Sequence, residues 1–171
     1  LLAPALERII CALRAAARKP CGTQEEAFMT VRRILAAKGR EVITVQPECK
    51  VSEAVRILCD HRLGALVVTD SSGALAGIVS ERDVVRSIAE RGARALDETV
   101  SAFMTRDVVT TADSATIQSV MEKMTDGRFR HVPVMEQGRL AGIVSIGDVV
   151  KHRLAEMEDE QKALREYIAT A

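Results

Sequence analysis

With 171 residues the chain can bury one sizeable core or two small halves packed on each other, and a hydrophobic content of 47% suits a globular fold. Basic and acidic residues both number 24, so the formal charge is zero and no global field steers the protein toward nucleic acid or anionic lipid. Aromatic residues make up 2%, namely Phe28, Phe103, Phe129 and Tyr167, which leaves little for stacking single-stranded nucleic acid.

Residues 1–28 open without methionine and place Leu6, Ile9, Ile10 and Leu13 at helical spacing before a break at Lys19-Pro20-Cys21-Gly22. They read as an amphipathic appendage docked on the domain or on a partner chain. Arg8, Arg14, Arg18 and Lys19 also fit a membrane-surface or targeting helix. Met29 is a candidate natural start. Cys11, Cys21, Cys49 and Cys59 form no C-x-x-C pair and have no histidine at ligand spacing, so no metal site is expected. There is neither an apolar run of roughly 18 residues nor the apolar centre of a secretory signal, which makes a cytoplasmic location the default expectation.

From here the chain repeats itself. Residues 41–86, "EVITVQPECKVSEAVRILCDHRLGALVVTDSSGALAGIVSERDVVR", align with 107–151, "DVVTTADSATIQSVMEKMTDGRFRHVPVMEQGRLAGIVSIGDVVK", at an offset of 66 that becomes 65 after a one-residue deletion in a turn. Such repetition marks one supersecondary unit packed on its twin. Val42-Ile43-Thr44-Val45 and Val108-Val109-Thr110-Thr111 read as strands. The stripes Val51, Ala54, Val55, Leu58 and Ile117, Val120, Met121, Met124 read as helices. Ala65-Leu66-Val67-Val68 and Val132-Pro133-Val134-Met135 then begin hairpins that feed second helices at Val84 and Val149. The unit is β-α-β-β-α, so the expected fold is α/β (α+β), with two repeats at 29–92 and 93–152 about a pseudo-two-fold axis and extra helices at both ends. Pro133 has no amide to donate and is expected at the start or open edge of its strand. In 153–171, Leu154, Met157, Gln161, Leu164 and Ile168 step by three and four. This heptad-like seam suits packing on the repeats or pairing with a second chain.

The hexapeptide "LAGIVS" stands at 75–80 and again at 140–145, and an aspartate follows each serine by three residues. Its Leu, Ile and Val supply core strand, and Gly77 and Gly142 point to close backbone approach. Ser80-Glu81-Arg82-Asp83 and Ser145-Ile146-Gly147-Asp148 admit two readings. One is a capping box at a helix start. In the other, the carboxylate accepts the vicinal hydroxyls of a ribose while the serine hydroxyl and the first helical amides face a phosphate. Capping explains neither the preceding Gly-Ile-Val nor the duplication of the whole unit.

The segments "LGALVVTDSSGALAGIVSERDVVR" and "FRHVPVMEQGRLAGIVSIGDVVK" resemble the two halves of a cystathionine-β-synthase-type (CBS) domain pair, or Bateman module, over residues 30 to about 152. The resemblance implies a non-enzymatic, stand-alone regulatory module. Its ligand would be adenosyl: AMP first, with ADP, ATP, NAD(H) or S-adenosylmethionine as alternatives, and no metal. It also implies a homodimer and a regulated protein partner, with neither nucleic acid nor membrane involved. Each cleft is expected to be built crosswise, with Ser and Asp from one repeat and the base pocket from the other. In the cleft ranked first, Asp148 holds ribose and Ser145 faces phosphate. Glu41, Val42, Ile43, Leu63, Gly64 and Ala65 frame the base there, and Lys38 and Arg130 are candidate phosphate cations. The second cleft uses Ser80, Arg82 and Asp83 with Val109, Phe129, Arg130 and His131. It ranks lower because Arg130 and His131 replace Gly64 and Ala65 and either narrow the pocket or add a phosphate contact. No acid–base pair, activated nucleophile or metal cluster supports an enzyme. The competing reading is a homodimeric interaction module whose clefts are degenerate and bind nothing.

Overall fold

The structure is a computed structural model that describes residues 30–170. The appendage expected at 1–28 and the candidate start at Met29 lie outside the described residues. Helix α1 (Val31–Lys38) precedes β1 (Thr44–Val45), α2 (Val51–His61), β2 (Ala65–Thr69), β3 (Leu75–Ser80) and α3 (Glu81–Arg91). Turns of 3-10 helix at Gly92–Asp97 and Val100–Ala102 lead to β4 (Thr111–Ala112), α4 (Ile117–Gly127), β5 (His131–Glu136), β6 (Arg139–Ser145) and α5 (Ile146–Thr170). In each sheet the first strand runs parallel to the middle one, and the third closes an antiparallel hairpin against it. The expected duplicated α+β unit is the observed one.

The local chemistry repeats with the fold. All five residues of β2 are buried, as a continuous apolar run requires. Helices α2 and α4 bury Val51, Ala54, Leu58 and Ile117, Val120, Met124, one stripe at 3.6-residue spacing in each. Both stop at an arginine in the left-handed region, Arg62 and Arg128, each with φ of 54°.

Two expectations need correction. The first strands have only two register pairs each, Thr44↔Val67 with Val45↔Val68, and Thr111↔Val134 with Ala112↔Met135. Ile43 leaves the ladder to pack on the first core, and Val108 and Val109 leave it to line a cavity. Pro133 sits inside β5, the middle strand, and not at a sheet edge. It is tolerated there because the β4 ladder begins one residue later, at Val134, so Pro133 faces only Ile143 of β6.

The halves exchange their leading segments. Val31, Ile34 and Leu35 of α1 are buried in the core of the second half with Ile117, Val120 and Val144. Val100 and Met104, which follow the first repeat, are buried in the first half with Val51, Leu66 and Val79. The exchange is matched bond by bond. Val31 N donates to Ala115 O at 2.9 Å and Arg32 N to Asp113 O at 2.8 Å, while Val100 N donates to Cys49 O at 2.8 Å and Ser101 N to Pro47 O at 3.0 Å.

This exchange accounts for the glycine of each hexapeptide. A Cβ on Gly142 would lie 2.7 Å from Leu35 Cδ2, and one on Gly77 would lie 2.7 Å from Met104 Sδ and 2.9 Å from the Thr105 carbonyl oxygen. The close neighbour is therefore a side chain of the exchanged segment, joined by backbone only at Gly77. Among the described residues, no helix is long and apolar enough to cross a membrane.

Candidate functional site

Both serine–aspartate pairs form capping boxes. Asp83 Oδ2 accepts from Ser80 N at 2.8 Å and Ser80 Oγ at 2.6 Å, while Asp83 N makes a long 3.4 Å contact to Ser80 Oγ. At α5, Asp148 Oδ2 accepts from Ser145 N and Oγ, both at 2.8 Å, and Asp148 N reaches Ser145 Oγ at 3.3 Å. The first helical amides are also engaged, Glu81 N with Gly64 O at 3.1 Å and Ile146 N with Arg130 O at 2.8 Å. The expectation that free helical amides face a phosphate is thus corrected, because the caps satisfy most of them internally. An anion placed here would meet side chains rather than free helical amides.

A cavity of about 610 Å³ opens between the halves on the Asp83 side, a size typical of small-molecule sites. The first half contributes Ser80, Arg82, Asp83 and Arg86 around the start of α3, and the second contributes Val109, Arg128, Phe129, Arg130 and His131. Every residue expected in the second cleft lines it. So do Gly64 and Ala65, which were expected to frame the base in the Asp148 cleft, and Arg130, which was a candidate phosphate cation there as well as a member of the second cleft.

Arg82 spans the halves, its Nη1 donating to the Arg128 carbonyl at 3.1 Å. Phe129 lies so close over Gly127 that a Cβ there would stand 2.2 Å from its ring, so a larger residue at 127 would displace the ring from this wall. The His131 ring sits against Gly64, where a Cβ would come within 2.8 Å of Cε1. Burial pushes the His131 pKa below its ordinary value and the Lys38 ammonium adds to this, against the opposing pull of Glu81 and Asp148.

Four guanidinium groups line the cavity, those of Arg82, Arg86, Arg128 and Arg130, with Glu81, Asp83 and Asp107 as the acids. Arg86, Arg128 and Asp107 were not anticipated. Arg86 stands one helical turn beyond Arg82 and was legible by that spacing. Arg128 is displayed by the left-handed stop of α4, which only its counterpart Arg62 hints at.

The Asp148 side is arranged differently. Lys38 Nζ donates to Asp148 Oδ2 at 2.6 Å, an ion pair joining the end of α1 to the start of α5. Burial alone would raise the Asp148 carboxyl, but Lys38 and the Ser145 amide and hydroxyl outweigh it and hold the pKa below the ordinary range. Lys38, expected to meet phosphate, is paired here with a carboxylate. Among the described residues Asp83 has no such cation. Glu41 is exposed, while Ile43 and Leu63 pack against the first core and Val42 stays half-buried. Among the described residues no group of His, Cys, Asp and Glu side chains is arranged to hold a metal ion.

Two copies of one β-α-β-β-α unit with a cavity between them define a tandem-repeat module. The family model for the CBS domain matches residues 31–90 and 100–155, and the chain belongs to the CBS-domain family, with two such domains in tandem. CBS pairs are regulatory modules rather than catalytic ones. A relative named CBS domain-containing protein CBSX3, mitochondrial, from Arabidopsis thaliana is 31% identical and covers 96% of this chain and 85% of its own length. The crystal structure of the CBS-domain containing protein ATU1752 from Agrobacterium tumefaciens is 51% identical, with a TM-score of 0.72 over 73% of this chain and 99% of that one. Two further neighbours carry ligands. The CBS domain pair of protein MJ0100 is in complex with 5-methylthioadenosine and S-adenosyl-L-methionine (27% identical, TM-score 0.68, 75% of this chain and 98% of that one). CBS domain protein PAE2072 from Pyrobaculum aerophilum is complexed with AMP (27% identical, TM-score 0.63, 70% of this chain and 89% of that one).

Proposed function

We propose that this chain is a non-enzymatic sensor that binds an adenine nucleotide in the Asp83 cavity, not first in the Asp148 cleft. The observation that carries the reading is the cavity itself, which sets Asp83 of one repeat opposite Val109, Phe129, Arg130 and His131 of the other. Asp83 accepts the ribose hydroxyls, the apolar Val109 and Phe129 flank the base, and the arginines face the phosphates. AMP is the leading ligand, with ATP and NAD(H) as alternatives of the same anionic class. The guanidinium wall favours these over the cationic sulfonium of S-adenosylmethionine, the ligand class that the MJ0100 complex brings into consideration. A ligand touching both repeats shifts their relative packing only through its differential affinity for two arrangements, and that shift is what a regulated protein partner reads.

The test is a thermal-shift and calorimetric panel of AMP, ADP, ATP, NAD⁺, NADH and S-adenosylmethionine. At 100 times its dissociation constant a ligand adds about 2.7 kcal/mol, worth a rise of several degrees in Tm for a chain of this size. If no member of the panel shifts the protein, the sensor reading fails and a non-binding interaction module replaces it. A response to S-adenosylmethionine alone would overturn the anionic assignment.

A further inference from the structure

We infer that α5 carries a parallel, in-register coiled-coil seam for a second copy of this chain. The helix runs 25 residues, and Val149 in its first turn is buried in the second core while its distal half projects away from the sheets. Along it Val150, Leu154, Met157, Gln161, Leu164 and Ile168 alternate four- and three-residue steps, which is the a/d repeat. The five apolar members are 44–66% exposed, so among the described residues nothing covers this stripe.

Charge selects the occupant and its direction. With Leu154 at an a position, Arg153 and Glu160 occupy g, and Glu158 and Arg165 occupy e. In a parallel pair each g residue faces the e residue five positions on in the other chain, so Arg153 meets Glu158 and Glu160 meets Arg165, opposite charges at both heights. Arg153 is also paired with Glu156 on its own helix, which leaves Glu160 and Arg165 as the clearer pair. An antiparallel overlap of the same full seam sets Leu154 against Leu164. It then places Glu158 against Glu158, Glu160 against Glu160 and Lys151 against Arg165, three like-charge pairings, with Arg153 left against the uncharged Tyr167. Gln161 at an a position meets its own copy in the parallel register, the kind of polar layer that fixes alignment at some cost in stability.

The test uses the full chain with Cys49→Ser and Cys59→Ser, carrying Leu164→Cys, oxidised and mapped by peptide mass spectrometry. A parallel seam gives an intermolecular link from position 164 to position 164. A link from 164 to Cys11 or Cys21 of the same chain would make the chain's own leader the occupant and overturn the proposal. A link that forms only between a Leu154→Cys chain and a Leu164→Cys chain would overturn it in favour of antiparallel pairing. In the otherwise natural chain, Glu160→Lys weakens the dimer by about tenfold in sedimentation, because it turns two attractions per dimer into repulsions. Adding Arg165→Glu restores it. A chain that stays monomeric at micromolar concentration, or a dimer indifferent to Glu160→Lys, sinks the inference.

Discussion

Asp83→Asn separates the two roles of the repeated aspartate. Asparagine keeps an oxygen that can accept the Ser80 amide, now 2.8 Å from Asp83 Oδ2, so the cap is weakened and not deleted. Complete loss of such a cap costs about 1 kcal/mol. For a chain of this size that lowers Tm by about 2–4 °C, and the asparagine should cost less. The ligand side is different. Two ribose hydroxyls bonded to a charged acceptor contribute about 1.5 kcal/mol or more each, so their loss weakens nucleotide binding by at least about 100-fold. Asp148→Asn is the internal control, because the same box stands at α5 with Lys38 added at 2.6 Å. It loses the cap charge and an ion pair between partly exposed groups, together worth about 1–2 kcal/mol. Its nucleotide affinity should stay at the wild-type level. Calorimetric titration measures the first quantity and urea unfolding the second. If Asp83→Asn binds as tightly as the wild type, or if Asp148→Asn is the variant that loses affinity, the assignment of the ligand to the Asp83 cavity is refuted.

Three further outcomes follow from the same geometry. Gly142→Ala should cost about 1–3 kcal/mol by overpacking, since its new Cβ meets the fully buried Leu35 at 2.7 Å. Combined with Leu35→Ala, the loss in urea unfolding should be clearly less than the sum of the two, and strict additivity would show that the contact is not made. The pKa of His131 is lowered in the folded chain, so its contribution to stability is complete above the unfolded value of about 6.5 and is lost as pH falls below it. Between about pH 7.5 and 5.5 the wild type should therefore lose more stability than His131→Gln, and equal losses would count against a half-buried imidazole whose pKa is lowered by desolvation. In Lys38→Met the His131 ring should titrate at higher pH in an NMR experiment, because a neighbouring cation has been removed; an unmoved titration would break the link between the two groups.

Side-chain periodicity is local, which is why the helices and hairpins were legible: Val51, Ala54 and Leu58, or Ile117, Val120 and Met124, face inward wherever the unit packs. The offset of the repeat likewise implied the pseudo-two-fold arrangement, since identical units bury identical faces. The exchange of leading segments was not legible. Val31, Ile34 and Leu35 announce that α1 is buried, but the stripe is equally suited to either half's core. Within the site, the crosswise company of Ser80 and Asp83 with Phe129 and His131 followed from the resemblance to CBS pairs, whereas Arg86 and Arg128 are delivered by helix phase and a left-handed turn.

The two sides differ at a pair of residues that the alignment of repeats does not match, Lys38 and Asp107. Arg130 and His131 in place of Gly64 and Ala65 argued for a narrower second cleft, yet that is the side where the cavity opens. The leading segments match at their own offset, Val31 with Val100 by their bonds and Leu35 with Met104 by their glycine contacts. Counted on from there, the counterpart of Lys38 is Asp107. On one side a cation reaches a carboxylate across 110 positions of sequence and occupies it. On the other an acid stands at the matching place, has no attraction for Asp83, and lines an open cavity whose charge is balanced by arginines. A single difference of charge sign at the end of the exchanged segment thus separates the two aspartates: Lys38 pairs with Asp148, whereas among the described residues no cation pairs with Asp83, the asymmetry on which the proposed ligand site rests.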